Sequence, residues 1–267
     1  MPIDRPNVFS PAQSSTPNFF FDVARGAYNP FYRIVNLVGV ADQVNSTEKP
    51  IAFQGGFEVY VSTPYIDVRS SSISDNPPTS LGAHEIYVEG VDTSGNLASE
   101  YVTLNGTTPV TLANQYQHIN DSYVTKAGSS GTNSGTISFE NSPGVEQLEI
   151  APGVGRTQNG MYLVPLGHRM VMMSSTFTAA GSASDSEVEY KMKRYQNLFV
   201  NAPNVPVYDI YRGYTAIDQQ HPTGPVITTE LPVLFNPGDA LLYTVNAPGN
   251  PNADVAVQGY GVLMQDS

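Results

Sequence analysis

The sequence predicts an all-β fold, and three observations lead there. Short runs alternating apolar and polar residues recur along the chain, 23 Gly and 21 Pro punctuate them, and no ten-residue segment carries a capped 3.6-residue apolar period. Charged residues are 13% of the chain, about half the usual ~25%. Hydroxyl and amide side chains fill the deficit, beside 16 Tyr and 11 Phe that a disordered chain would lack. The expected arrangement is two packed antiparallel β-sandwich units behind an extended N-terminal arm. Residues 1–50 are the Pro- and aromatic-rich arm, 51–150 the first sandwich, and 151–267 the second, jelly-roll-like one.

The arm opens with Pro2, Pro6, Pro11 and Pro17 in polar sequence, then places Phe19, Phe20, Phe21, Tyr28, Phe31 and Tyr32 within 14 positions. These six fit neither strand alternation nor helical spacing, so they need a surface to lie on. That surface is either the chain's own core or a neighbouring subunit, and the six are the candidate interface residues.

Strand signals then follow at short intervals. "AHEIYVEG" sets Ile86 and Val88 on one face and Glu85, Tyr87 and Glu89 on the other. "VDTSGN" supplies turn residues, and "SEYVTL" completes a hairpin over 84–104. "NGTTP" turns the chain at Asn-Gly, and "SYVTKAG" and "GTISFE" are strands parted by "SSGTNS". Beyond 151, "GMYLVPLGHRMVMMSSTFTA" reads as strand, Pro165–Gly167 corner, strand. "SEVEYKMKRY" puts Val188, Tyr190 and Met192 inward and Glu187, Glu189, Lys191 and Lys193 on a solvated face. "VPVYDIYRG", "PVITTELPVLFNPGDALLYTV" and "DVAVQGYGVLM" finish the set, with a Pro-Gly turn at "FNPGD".

Composition excludes several functions. A net charge of −12, from 24 acids against 12 bases, with "KMKR" the densest basic cluster, argues against direct nucleic-acid binding. Cysteine is absent, which removes disulfides and thiolate metal sites. No apolar stretch approaches the ~20 residues of a membrane span, and the N-terminus has no basic segment followed by an apolar one. A soluble protein made in a cytoplasm is expected.

Site motifs are sparse. His84, His118, His168 and His221 have no partner at metal-ligand spacing and read as surface or turn residues. "DTSGN" at 92–96 lacks the carboxylates of a calcium loop, and "GVGRT" at 153–157 lacks the Lys of a phosphate cradle. No G-x-S-x-G elbow offers a serine nucleophile. No catalytic residue, metal ligand or cofactor site is expected.

Four stretches in order, "ARGAYNPFYRIVNLVG" (24–39), "VRSSSISDNPPTSLGAHEIYVEGVDTSGNLASEYVTLNGTTPV" (68–110), "YVTKAGSSGTNSGTISF" (123–139) and "YLVPLGHRMVM" (162–172), resemble virion proteins of marine tailed phages, including those of cyanobacteria. The resemblance covers most of the chain and is most specific over 68–139. The chain departs from the group at Leu166, where Ala is common in a Val-Pro-Ala-Gly corner, and in lacking a Trp-containing patch in the arm. The resemblance implies a β-sandwich structural component of a bacteriophage particle, on capsid or tail, made in the host cytoplasm and located in the virion. The expected partners are further copies of the chain, as a trimer by analogy with jelly-roll viral proteins, other virion proteins, and a host surface glycan. Three other readings stay open at this point: a host-glycan-binding tail fibre or spike module, a double-jelly-roll major capsid protein, and a polysaccharide depolymerase.

Overall fold

The computed structural model describes residues 32–53, 64–78, 81–141, 145–181, 186–201, 205–217, 226–229, 232–248 and 253–266. Strands β1 (Tyr32–Val44) and β2 (Lys49–Pro50) come first, then β3 (Tyr65–Ser70), β4 (Ala83–Asp92), β5 (Leu97–Thr103), β6 (Val110–Ala127), β7 (Ile137–Asn141) and β8 (Val145–Ile150). They are followed by β9 (Met161–Leu163), β10 (His168–Ala180), β11 (Ser186–Tyr195), the one-turn helix α1 (Leu198–Asn201) and β12 (Val207–Ile217). The last are β13 (Ile227–Thr229), β14 (Val233–Phe235), β15 (Ala240–Asn246) and β16 (Ala253–Gln265). The fold is all-β, and every strand pairing is antiparallel.

Two of the three sheets form a jelly roll. One runs β1-β16-β10-β13, with β14 continuing β13 along β10, and the other runs β12-β11-β15-β2, with β9 beside β15. With β13 and β14 taken as one broken strand along β10, and β2 and β9 as another along β15, this is the eight-stranded double Greek key. Its first two strands come from residues 32–50, the stretch assigned from sequence to the arm. Val35, Leu37 and Ala41 alternate into the core, and β1 pairs along its length with β16. That alternation is interrupted in the sequence by Gly39, which stands where a Cβ would fall 2.3 Å from the Ile51 carbonyl oxygen.

The space between the two sheets is filled by side chains at period two: Val188, Tyr190 and Met192 from β11, Leu241, Tyr243 and Val245 from β15, and Val255 and Val257 from β16. Phe177 sits among the Tyr190, Tyr243 and Tyr211 rings, with centroids 4.9, 5.5 and 6.2 Å away. The Tyr243 hydroxyl, buried there, meets Ser175 Oγ at 2.5 Å, as a buried phenol requires.

The third sheet, β5-β4-β6-β3-β7-β8, is inserted between β2 and β9. Four register shifts along the β4–β6 pairing bend it, so it curls around its own core of Val68, Ile86, Val88, Val102, Ile119, Ile137, Phe139 and Ile150. The Ser- and Gly-rich loops are tied by the buried Asp75, whose carboxylate accepts from Ala83 N (2.7 Å), Ser134 N (2.8 Å), Gly135 N (2.9 Å) and Ser70 Oγ (2.5 Å). Entry to the insert and exit from it run side by side. Gly160 N donates to Ile51 O and Phe53 N to Gln158 O, both at 2.9 Å, across an Ala52–Asn159 bridge.

The insert docks on the jelly roll through a small apolar cluster: Val91 from β4, Met161 and Leu163 from β9, Leu198, and Ala240 and Leu242 from β15. Asn120 completes the seam, its Nδ2 donating to Leu163 O at 2.9 Å while Leu163 N donates to its Oδ1 at 2.8 Å. Gly95, at φ +83°, turns the β4–β5 hairpin against Leu166, whose Cδ1 would lie 2.7 Å from any added Cβ.

Candidate functional site: a tyrosine row beside the junction

The outer face of the inserted sheet carries side chains in ordered cross-strand rows. In the middle row Tyr87 of β4 faces Tyr101 of β5 on one side and Tyr123 of β6 on the other. Both ring pairs lie 5.2 Å apart, tilted by 57° and 40°. Tyr101 is 65% exposed and Tyr123 37%. Alternation explains the placement, because Ile86 and Val88 face the core and Glu85, Tyr87 and Glu89 therefore take the other face, as the sequence predicts, with Glu89 buried there beneath Arg33.

Polar rows flank the tyrosines. On one side Glu85, opposite Thr103, accepts from Thr125 Oγ1 at 2.8 Å and from Lys126 Nζ at 2.7 Å, and this ion pair holds its carboxyl below the ordinary range. On the other side Glu89, opposite Ser99, accepts from the two terminal guanidinium nitrogens of Arg33 at 2.5 Å and from the Tyr87 hydroxyl at 3.0 Å. Arg33 comes from β1 and also donates to Tyr162 OH at 3.3 Å. Burial opposes the charge on Arg33, but Glu89 and Tyr162 outweigh it and keep its pKa above the ordinary value. Burial pushes the Tyr87 phenol up to about 12, so it stays protonated at neutral pH.

Asp121, in register with Glu89 across β4 and β6, is held bidentately by Arg156: Nε to Oδ1 at 2.9 Å and NH2 to Oδ2 at 2.8 Å. Burial raises its carboxyl above the ordinary value, against the pull of that guanidinium. The Arg156 guanidinium carbon also lies 6.0 Å from the Tyr123 ring centre. The same burial, with Asp121 nearby, raises the Tyr123 phenol. The site therefore offers aromatic faces bordered by hydrogen-bonding groups whose orientations are already fixed.

Of the six candidate interface residues, Phe19, Phe20, Phe21, Tyr28 and Phe31 lie outside the described residues. Tyr32 begins β1, in register with Met264. Among the described residues β1 pairs only with β16 and β12 only with β11. Each sheet of the jelly roll thus ends in a long edge strand, and β12 carries exposed Val207, Tyr208 and Tyr214.

The histidine expectation needs correction. His118 is a core residue at 3% exposure, on β6 between the curled sheet and the jelly roll, where its cross-strand partner Val91 belongs to the docking cluster. Burial depresses it to about 3. His168 is a turn residue with Nδ1 3.1 Å from Leu166 O, and His84 is half-buried. His221 lies outside the described residues.

Glu189 and Lys191 do point away from the core, but they are not solvated, each being 9% exposed. Glu48, from the turn before β2, takes Lys191 Nζ at 2.7 Å, Thr244 Oγ1 at 2.9 Å, and Lys193. Glu189 takes Tyr214 OH at 2.9 Å and Arg212 Nε at 3.2 Å. Burial opposes ionisation of Glu48, yet these partners lower it to about 2. The sequence shows the lysines' face but not the distant carboxylate that covers them.

Among the described residues no group of three His, Cys, Asp or Glu side chains is placed to hold a metal ion. No helix there is long and apolar enough to cross a membrane. No protein-family model matches the chain, and no curated protein does. Among solved structures it is similar to a lipoprotein of Bacteroides thetaiotaomicron (12% identity, 86% of this chain and 100% of that one, TM-score 0.22). It is also similar to a chain of infectious bursal disease virus, Gx strain (9%, 88% and 71%, TM-score 0.23). A third is the CBM22-1–CBM22-2 tandem of Xyn10C from Paenibacillus barcinonensis (11%, 90% and 94%, TM-score 0.25). At these scores the similarity is weak, and what the chain does must be read from its own residues.

Proposed function

We propose that the chain is a structural component of a bacteriophage particle, assembling as a homo-oligomer, a trimer, on the capsid or tail surface. The observation that carries this reading is a jelly roll with a solid aromatic interior and, among the described residues, two open edges. Side chains at Phe177, Tyr190 and Tyr243 occupy the space where a ligand-binding barrel keeps a cavity. Function then falls to the surface, where β12 presents a ladder unpaired among the described residues, with Val207, Tyr208 and Tyr214 beside it. The opposite edge strand, β1, is the one into which the aromatic arm runs. The bacteriophage assignment itself rests on the resemblance of residues 68–139.

The same reading holds that the chain does no chemistry. Glu89 and Asp121, the adjacent carboxylates that could serve a hydrolase, are each clamped by a guanidinium. A general acid needs a proton held near neutral pH and free to leave.

Sedimentation velocity on the full chain and on a chain lacking residues 1–31, a cut that spares β1, tests the assembly. The full chain is expected to sediment as an oligomer and the truncated one as a folded monomer. Purified particles should carry the chain in stoichiometric copies. A full chain that stays monomeric and is absent from particles would refute the proposal.

A further inference from the structure

We propose that the row Tyr101–Tyr87–Tyr123 is a contact site for a neutral oligosaccharide. A pyranose ring has one face of C–H groups and a rim of hydroxyls. The C–H face packs against the electron-rich face of an aromatic ring, and the rim needs donors and acceptors close beside it. The row supplies both, with phenol rings 5.2 Å apart, 65% exposed at Tyr101 and 37% at Tyr123, and polar rows on either side. Glu85, Glu89 and Asp121 are held by Lys126, Arg33 and Arg156, so they lose little rotamer freedom when a ligand arrives.

Charge narrows the ligand. Each of the three cations at the site is already engaged by a carboxylate, and the chain's net charge is −12, so a polyanion finds no free guanidinium. An apolar peptide would have to desolvate the partly exposed Glu85 and Asp121, whereas the buried centres of protein interfaces are depleted in charge. A polyhydroxylated, uncharged ligand meets neither obstacle. The tyrosines lie on the inserted sheet and not on either sheet edge, although Arg33 of β1 clamps Glu89 beside them, so the site goes beyond the assembly role.

Affinity electrophoresis is the test, with the intact chain run through gels containing a soluble β-1,3-glucan, a mannan or dextran, and through parallel gels containing dextran sulfate or single-stranded DNA. At least one neutral polysaccharide is expected to retard the chain. The substitutions Tyr101→Ala and Tyr123→Ala together should weaken that retardation at least tenfold, with unchanged circular dichroism and sedimentation. As a readout needing no variant, the retarding polysaccharide should protect Tyr101 and Tyr123 from nitration, mapped by peptide mass. The proposal is overturned by retardation in no neutral gel, by retardation in the polyanion gels alone, or by equal retardation of a folded double variant. Loss of the oligomer in that variant would also overturn it, because the row would then be a contact between copies. Absence of nitration protection overturns it too.

Discussion

Lowering the pH from 7 to 4.5 charges histidine in the unfolded chain but leaves His118 neutral in the folded one. Its side chain is buried at the seam, its Nε2 has no hydrogen-bond partner among the described residues, and burial holds its pKa near 3. The folded value lies below the unfolded one of about 6.5, so its contribution is fully present above pH 6.5 and is lost as the pH falls toward 3. At about 1.36 kcal/mol per unit, the interval from pH 7 to 4.5 costs about 2.5 kcal/mol, a large share of the ~5–15 kcal/mol that holds a typical domain folded. Urea unfolding of the wild type and of His118→Leu at pH 7, 5.5 and 4.5 measures it. The raised pKa of Asp121 acts with the opposite sign, favouring the fold as pH falls, but equally in both proteins, so it cancels in the difference. Wild type should lose about 2.5 kcal/mol relative to the variant over this range. A relative change under about 0.5 kcal/mol would mean that His118 gains solvent or a partner when charged, and the reasoning would fail.

Two further outcomes follow from packing and charge. Phe177→Ala removes the ring at the centre of the Tyr190, Tyr211 and Tyr243 cluster and should cost about 3–5 kcal/mol in urea unfolding; a loss under about 1 kcal/mol would show that the core collapses onto the gap. Arg33→Met leaves Glu89 buried and uncompensated and should cost about 2–4 kcal/mol, while Arg33→Met with Glu89→Leu should recover most of it; equal losses in the single and double variants would show that no charge pairing holds the seam.

The local chemistry of the strands was legible, and their long-range partners were not. The hairpin β4–β5 could be read with its register, because a turn at Asp92–Gly95 sets Tyr87 opposite Tyr101. Tyr123 could not be added to that row from the sequence, since register shifts at Ala83, Glu85, Glu89 and Val91 break any count along β4 and β6. The burial of Lys191 depends on Glu48, more than a hundred positions away, that of Glu189 on Arg212 and Tyr214 of the next strand, and that of His118 on strands the chain reaches only after Gly160. Alternation tells which face a residue takes. What covers that face is decided by topology, and the jelly roll's use of residues 32–50 is the same kind of fact.

The zipped neck between Phe53 and Gln158 also bears on how such a chain can change over generations. Because the two crossings are hydrogen-bonded to each other before the curled sheet begins, the chain leaves the jelly roll and returns to it through a short two-stranded stem. Lengthening or shortening what lies beyond adds little closure entropy to the scaffold's folding, since that cost grows only with the logarithm of loop length. The surface that must be kept is the docking seam, which holds Leu163 and Asn120 and the Arg33–Glu89 pair. The row of tyrosines lies on the insert, and Tyr87 is tied to the scaffold through Glu89 and Arg33. Mutation can therefore rewrite the outer face of the insert while the jelly roll stays the same, so selection can act on the two parts at different rates.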